Sequence, residues 1–146
     1  MLTINLAIQA ITGEKPHGDD RIIRDAVIDS RVSTPESLFV ALPGEVVNGH
    51  SYVGEAFAGG AIVALIDQEL PGEFYTIDLR NGNKAGEHLG FGQTPTCILV
   101  DDSLEAMQKI ARFWRRQLEV EVIGITGSVG KSTTKEVVAE VLSRRY

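Results

Sequence analysis

Short apolar runs of strand length alternate along this chain with segments of helical periodicity. Parallel strands require such alternation, because each one must be followed by a crossover, usually a helix, before its neighbour can begin. The run at 61–66 is continuously apolar, which is typical of a strand that is covered on both faces. The alternation therefore predicts an α/β fold.

The predicted elements follow from periodicity and from turn residues. Strands are predicted at 22–28, 37–42, 61–66, 97–100 and 120–126, and helices at 2–11, 52–58, 102–118 and 131–145. The helix at 102–118 has a single apolar stripe: Leu104, Met107, Ile110, Ala111, Trp114 and Leu118. Between 67 and 95 the pattern is weak, and Asn81-Gly82 favours either a hairpin turn or an insertion.

Composition excludes several classes of protein. The chain has 146 residues, which allows one domain or one and a fraction. Its 20 acidic and 14 basic residues give a net charge of −6, which disfavours a general nucleic-acid binder. The longest apolar stretch is too short to span a bilayer, and the N-terminus lacks the basic region of a secretory signal. We therefore expect a cytoplasmic protein without membrane insertion.

The sharpest motif is the run Thr-Gly-Ser-Val-Gly-Lys-Ser-Thr at 126–133, between a predicted strand and a predicted helix. This is the context of a phosphate-binding loop, in which glycines and the amides of a helix start surround phosphate oxygens. Lys131 can reach a β- or γ-phosphate, and the Ser132 hydroxyl can ligate Mg²⁺. The predicted phosphate site comprises Gly127, Ser128, Val129, Gly130, Lys131, Ser132 and Thr133.

Two blocks of the sequence carry a family resemblance. The strict phosphate-loop pattern has glycine where this chain has Ile125, and the ATP loop of the Mur ligases, which this loop resembles, also lacks that glycine. A second block, with Asp29-Ser30-Arg31, the run at 38–45 and Asn48-Gly49-His50, is similar to the N-terminal domain of the same family. The order and spacing of these blocks identify the chain as a member of the Mur ligase family.

The resemblance implies a domain organisation. Residues 1–118 correspond to the UDP-substrate-binding N-terminal domain shared by the ligases that add the third peptide residue and the terminal dipeptide. Residues 119–146 correspond to the first strand, phosphate loop and helix of a truncated central ATPase domain. The run Arg112-Phe113-Trp114-Arg115-Arg116 and the run Thr134-Lys135-Glu136 favour the dipeptide-adding member.

The resemblance also implies an activity. It is ATP-dependent amide formation between UDP-N-acetylmuramoyl-tripeptide and D-alanyl-D-alanine in peptidoglycan precursor synthesis, with ATP and Mg²⁺ as cofactors. The family's later acidic Mg²⁺ ligand, its modified lysine and its amine-binding domain have no counterpart in these 146 residues. We therefore expect the chain alone to be inactive.

By resemblance, Ser30, Arg31, Asn48, Gly49 and His50 contact the UDP group of the substrate. The chemistry fits, because a hydroxyl can bond a uracil edge and an arginine can fork onto phosphate. The plainer alternatives are a strand-end cap and a surface arginine. His50 either reaches the nucleotide or caps the next helix. Asn48 stands where the family usually has aspartate.

Three alternative functions stay open from the sequence. They are the ligase that adds the third peptide residue, a small P-loop NTPase, and a non-catalytic nucleotide-binding module. An NTPase would carry an acidic residue at the end of a later apolar strand, and none follows the loop.

The strand predicted at 120–126 resembles a central parallel strand with two open edges. We therefore expect residues after about 119 to dock on the first domain, to self-associate with a second copy, or to be poorly ordered.

Overall fold

The computed structural model describes residues 1–16, 21–44, 47–72, 74–82 and 95–145. The strands are β1 Leu2–Thr3, β2 Ile22–Ile23, β3 Asp25–Val27, β4 Ser37–Val40, β5 Val63–Ile66, β6 Tyr75–Asp78 and β7 Thr96–Leu99. The α-helices are α1 Ile4–Thr12, α2 Val53–Ala58, α3 Ser103–Gln117 and α4 Lys131–Ser143. Within the described ranges, every helix is too short or too polar to span a bilayer.

The main sheet has five strands in the order β3-β4-β5-β7-β6, and all neighbouring pairs are parallel. Its two faces carry separate apolar clusters, because side chains alternate along each strand. One cluster joins strand residues such as Leu38 and Val63 to α1 and α3, and the other joins Phe39 and Ala64 to α2. Every residue of β5 is buried, so the prediction of a strand covered on both faces is confirmed.

The helix predicted at 2–11 begins only at Ile4, because Leu2 and Thr3 pair with β2 as strand β1. Side-chain caps define the starts of α1 and α3. Thr3 caps α1 by accepting a hydrogen bond from the backbone N–H of Leu6 at 3.3 Å, and α1 ends at Gly13 in the left-handed conformation, φ 82°. Asp102 caps α3 by accepting from the N–H of Glu105 at 2.8 Å. These caps satisfy amides that a helix start leaves without partners inside the helix.

Two strand predictions need correction. The predicted strand at 22–28 divides at Arg24: β2 pairs antiparallel with β1, whereas β3 pairs parallel with β4. The sequence pattern missed β6, which lies parallel to β7. Asn81 lies in a 3₁₀ turn with φ 55°. The hairpin and the insertion considered after this turn both concern mainly 83–94, which lie outside the described residues, so both stay predictions.

The predicted apolar stripe of α3 is displaced around the helix. Leu104 is 45% exposed and Ala111 is also exposed, whereas Ser103, Ala106 and Ile110 are buried. The Ser103 hydroxyl lies 2.9 Å from both the carbonyl oxygen of Ala41 and Oδ2 of Asp67, and these polar contacts accompany the turn of this face of the helix towards the sheet. Trp114, predicted in the core, is only half-buried.

The strand predicted at 120–126 does not form, since a strand requires a partner and this segment has none among the described residues. Val122 is 68% exposed, and Val120 and Ile123 are also exposed. The helix that follows does form, but it buries none of its described side chains. The expectation that this segment docks on the preceding domain is therefore wrong, and its pairing with a second copy stays a prediction.

The turn between α2 and β5 depends on Gly60. Its φ is +108°, and a Cβ there would lie 2.9 Å from the backbone nitrogen of Pro35. We expect Gly60→Ala to destabilise the fold by about 1–3 kcal/mol, because both the backbone conformation and the contact become strained. Urea unfolding of the purified chain checks this. Gly54→Ala is the control, since Gly54 is helical with open space around its Cα and should lose no stability. Equal midpoints for the two variants would contradict the prediction.

Candidate nucleotide-binding site

A pocket of about 600 Å³ opens where the chain leaves β3 and β4. Ser30 and Arg31 line it from the turn after β3, and Gly49 and Tyr52 line it from the 3₁₀ turn Gly49–Tyr52. Sheets of parallel strands bind ligands beyond the carboxyl ends of their strands. The pocket therefore lies where a ligand is expected, and it brings together three of the residues predicted to contact UDP: Ser30, Arg31 and Gly49.

Asp29 fixes the orientation of Arg31. The Asp29 carboxylate accepts hydrogen bonds from Nε of Arg31 at 2.9 Å and from Nη2 at 2.6 Å. It also caps the 3₁₀ turn Ser30–Val32 by accepting from the backbone N–H of Arg31 at 3.1 Å. The strand-end cap considered for Ser30 is thus made by Asp29. A guanidinium has five N–H donors, so three of them stay available beyond this pair.

Asp29 and Arg31, the paired charges of the pocket, shift each other's pKa. Hydrogen bonds from the side chain and backbone of Arg31 lower the pKa of Asp29 to about 2. The same pair raises the pKa of Arg31, with smaller contributions from Glu55 and Tyr52. The Arg31 side chain is nevertheless 79% exposed. The pocket therefore presents a permanent cation that is paired with Asp29 and open to solvent.

Asn48 and His50 are not among the residues that line the pocket; Asn48 is exposed and His50 is buried. The side chain of His50 is 4% exposed, and both of its ring nitrogens have partners inside the protein. Burial lowers the pKa of His50 below its ordinary value, against the opposing charge of Asp67. Asn48, not His50, caps the 3₁₀ turn Gly49–Tyr52, by accepting from the backbone N–H of His50 at 3.1 Å. Contact of either residue with UDP stays a prediction.

Two residues of this region were not singled out from the sequence. Asp67 follows β5, and its carboxylate accepts hydrogen bonds from the backbone N–H and the hydroxyl of Ser103, at 3.2 and 2.9 Å. An acidic residue directly after a continuous apolar run marks the carboxyl end of a buried parallel strand, and this signal could have identified Asp67. Nothing in the local sequence indicates its partner Ser103.

The phosphate loop has the backbone shape that its glycines predict. Gly130 is left-handed with φ 80°, and Gly127 has φ 151°. Gly130 caps α4 without a side-chain hydrogen bond. The ammonium group of Lys131 donates a hydrogen bond to the carbonyl oxygen of Gly127 and so lies across the loop. A shallow pocket of about 310 Å³ beside it is lined by Ile123, Ile125, Lys131, Ser132 and Lys135.

The loop also offers an oxygen ligand for a cation. The Ser132 hydroxyl lies in the first turn of α4, and Mg²⁺ binds hard oxygen ligands and phosphate oxygens. In the part of the chain that the structure describes, no group of three or more histidine, cysteine or acidic side chains could hold a metal. Mg²⁺ would therefore need the phosphates of a bound nucleotide in addition to Ser132.

Known proteins similar to this chain are ligases of peptidoglycan synthesis. A UDP-N-acetylmuramoyl-tripeptide–D-alanyl-D-alanine ligase (MurF) of Treponema pallidum is 41% identical over 123 residues, which are 81% of this chain and 24% of that protein. The Synechocystis ligase of the same name is 37% identical over 126 residues, 86% of this chain and 24% of that protein. Over most of its length, this chain is therefore similar to a part of these Mur ligases. No family model matches it.

Solved structures of Mur ligases also resemble this chain. MurF from Acinetobacter baumannii superposes with a TM-score of 0.66 at 25% identity, over 97% of this chain and 27% of that one. MurF from Thermotoga maritima in complex with ADP gives a TM-score of 0.61 at 25% identity, over 88% of this chain and 25% of that one. The α/β fold with a parallel sheet is therefore that of Mur ligase structures.

Within the Mur ligases, the comparisons favour the dipeptide-adding type. The 2,6-diaminopimelate ligase of Chlorobaculum tepidum, which represents the third-residue alternative, is 30% identical over 128 residues. MurF relatives reach higher identity, so this alternative is less supported. The chain spans about a quarter of the length of the curated relatives that it matches.

The Asp29–Arg31 pair gives a prediction about pH. The lowered pKa of Asp29 means that the pair stabilises the fold above pH 3.8 and loses that contribution as the pH falls towards about 2. We expect Arg31→Ala to raise the pKa of Asp29 towards 3.8, as measured by carboxyl ¹³C NMR titration. Arg24→Ala is the control, because Arg24 pairs with Glu36 outside this pocket. An unchanged Asp29 titration in Arg31→Ala would contradict the geometry.

Proposed function

We propose that this chain is the N-terminal portion of an ATP-dependent ligase that joins D-alanyl-D-alanine to UDP-N-acetylmuramoyl-tripeptide in peptidoglycan precursor synthesis. The observation that carries the proposal is the pocket lined by Ser30, Arg31 and Gly49, in a chain 41% identical to a ligase of that name. Residues 1–118 form the UDP-substrate-binding domain, and 119–146 begin the ATP-binding domain. The proposed location is the cytoplasm.

The chemistry of the pocket suits a uridine diphosphate group. The three N–H donors of Arg31 beyond the Asp29 pair can bond oxygens of a diphosphate. The Ser30 hydroxyl can bond an edge of uracil, and Tyr52 offers aromatic surface to its ring. Because Asp29 fixes the guanidinium in advance, little side-chain freedom is lost when the anion binds.

The phosphate loop supplies the second half of the proposed reaction. ATP with Mg²⁺ would supply the phosphoryl group that activates a substrate carboxylate, before the amine of D-alanyl-D-alanine displaces phosphate. The amides at the start of α4 and the ammonium of Lys131 would neutralise phosphate charge, and the Ser132 hydroxyl would hold the metal. Lys131 has only to exchange the carbonyl oxygen of Gly127 for a phosphate oxygen. These residues act by positioning and by charge, not by proton transfer.

Binding of the UDP substrate is the first test. We expect calorimetric titration of the purified chain with UDP-N-acetylmuramoyl-tripeptide to give saturable binding. Arg31→Ala should weaken it by about ten- to a hundredfold, because a charge-assisted hydrogen bond contributes about 1.5–3 kcal/mol. The matched control is Arg24→Ala, another exposed arginine paired with a carboxylate, and its affinity should be unchanged. A folded chain that does not bind the UDP compound would refute the proposed function.

ATP binding is a separate test. We expect weak binding of ATP·Mg²⁺ and no turnover with both substrates, since the described part of the chain offers the phosphate loop alone. Lys131→Ala should lower the ATP affinity about tenfold, the effect of about 1.4 kcal/mol. Lys109→Ala is the control, because Lys109 pairs with Glu105 on α3. ATP binding without UDP binding would favour the small NTPase instead.

A further inference from the structure

His50 is turned away from the pocket that its neighbours line. In the 3₁₀ turn Gly49–Tyr52, Gly49 and Tyr52 line the pocket, whereas the His50 side chain is 4% exposed. Gly49 packs closely on the end of β4: its N–H donates to the carbonyl oxygen of Leu42 at 3.0 Å, and a Cβ there would lie 2.8 Å from the nitrogen of Leu42. Small movements of this turn would therefore change the pocket wall.

The hydrogen bonds of His50 define one tautomer. Oδ1 of Asn48 accepts from the backbone N–H of His50 at 3.1 Å, which establishes that this atom is the amide oxygen. The same oxygen lies 2.7 Å from Nδ1 of His50, so Nδ1 carries the proton. Nε2 accepts from the backbone N–H of Asp67 at 3.1 Å. Nε2 also lies 3.1 Å from Oδ1 of Asp67, so both ring nitrogens have partners, and the bond from the Asp67 N–H fits the neutral Nδ1–H tautomer.

Asp67 extends this connection to three elements of the fold. It follows β5, and its Oδ2 accepts from the hydroxyl of Ser103 at the start of α3. The same hydroxyl lies 2.9 Å from the carbonyl oxygen of Ala41, which follows β4. His50 thus links the pocket wall to the ends of two central strands and to one helix.

We propose that His50, as the neutral Nδ1–H tautomer, is a positioning residue that holds Gly49 and Tyr52 in place for a nucleoside-diphosphate ligand, and that its protonation weakens binding. The proposal rests on the proposed function of this pocket. A proton on Nε2 would confront the N–H of Asp67 with a second donor. The proton would be drawn to Oδ1 of Asp67, which already lies 3.1 Å from Nε2, and the hydrogen bond from the backbone N–H of Asp67 that ties the turn to the end of β5 would be lost.

The charged surroundings agree with this direction. The titratable groups on the elements around His50 are Asp67, Asp101, Asp102, Tyr52 and Glu55. Of these, Asp67 is the group in contact with the imidazole in the described structure. Its charge favours protonation, but burial has the larger effect and lowers the pKa of His50. Ligand affinity should therefore be full at neutral pH and fall once the pH is below that pKa.

The test is calorimetric titration with UDP-N-acetylmuramoyl-tripeptide from about pH 8 to about pH 5, for the native chain and His50→Gln. Glutamine can accept a hydrogen bond from Asp67 but does not titrate. We expect the native affinity to fall at low pH, with a limiting slope of about tenfold per pH unit, and the His50→Gln affinity to stay constant. Circular dichroism at each pH verifies that the fold persists. A flat native profile, or the same decline in both proteins, would overturn the proposal.

Two further measurements do not depend on His50→Gln folding. Long-range ¹H–¹⁵N NMR of the native chain should show a protonated Nδ1 and a bare Nε2 at neutral pH, and the opposite tautomer would overturn the proposal. Asn48→Asp puts a carboxylate against Nδ1 and should shift the affinity midpoint to higher pH, an effect that a merely structural role would not produce. An unshifted midpoint would count against it.

The outcomes separate the two proposals. A folded chain that binds no UDP compound at any pH refutes the proposed function. Binding that is independent of pH, in the native chain and in Asn48→Asp, refutes the role of His50 and leaves the pocket assignment standing.

Discussion

The parallel direction of all five strands in the main sheet is the constraint on which the rest of the structure depends. It brings the carboxyl ends of β3, β4 and β5 to one edge, and hence the chain segments that follow them. Arg31, Gly49 and Asp67 are far apart in sequence but belong to segments that leave the sheet at this edge. Because both faces of the sheet are covered, polar groups lie mainly at the ends of its strands.

The fold was predictable where local signals and burial agree. The apolar run at 61–66 and the periodicity of the segments at 2–11 and 102–118 each predict an element of the right type, because the cause lies within a few residues. The rotation of α3 was not predictable, since the hydrogen bond of Ser103 that accompanies it reaches Ala41, 62 positions away. Strand β6 was missed because it is an edge strand in which Tyr75 and Thr76 are exposed, so its apolar pattern is weak.

The candidate site likewise contains residues that the sequence indicates and residues that it does not. Arg31 and Gly49 could be singled out because the compact motifs that contain them resemble those of a known family, and Asp29 holds Arg31 from two residues away. The connection from His50 to Asp67 spans 17 positions, and that from Asp67 to Ser103 spans 36. Both join segments that only the sheet brings together, so a single sequence does not reveal them. Residues that are proposed to contact a ligand can therefore be easier to identify from the sequence than the residues that hold them in place.

The proposed ATP site and the proposed UDP site depend on tertiary structure to different extents. The phosphate loop is local: the conformations of Gly127 and Gly130 and the hydrogen bond of Lys131 form while Val122 and Ile123 beside it are exposed. The pocket around Arg31 is tertiary, because its walls come from β3, β4 and the turn that His50 secures. A partial loss of tertiary packing should therefore abolish the proposed UDP binding before it distorts the phosphate loop. Tight ATP binding, by contrast, needs further protein surface over these exposed apolar residues. Contacts to phosphate alone leave the base and the ribose of ATP unbound.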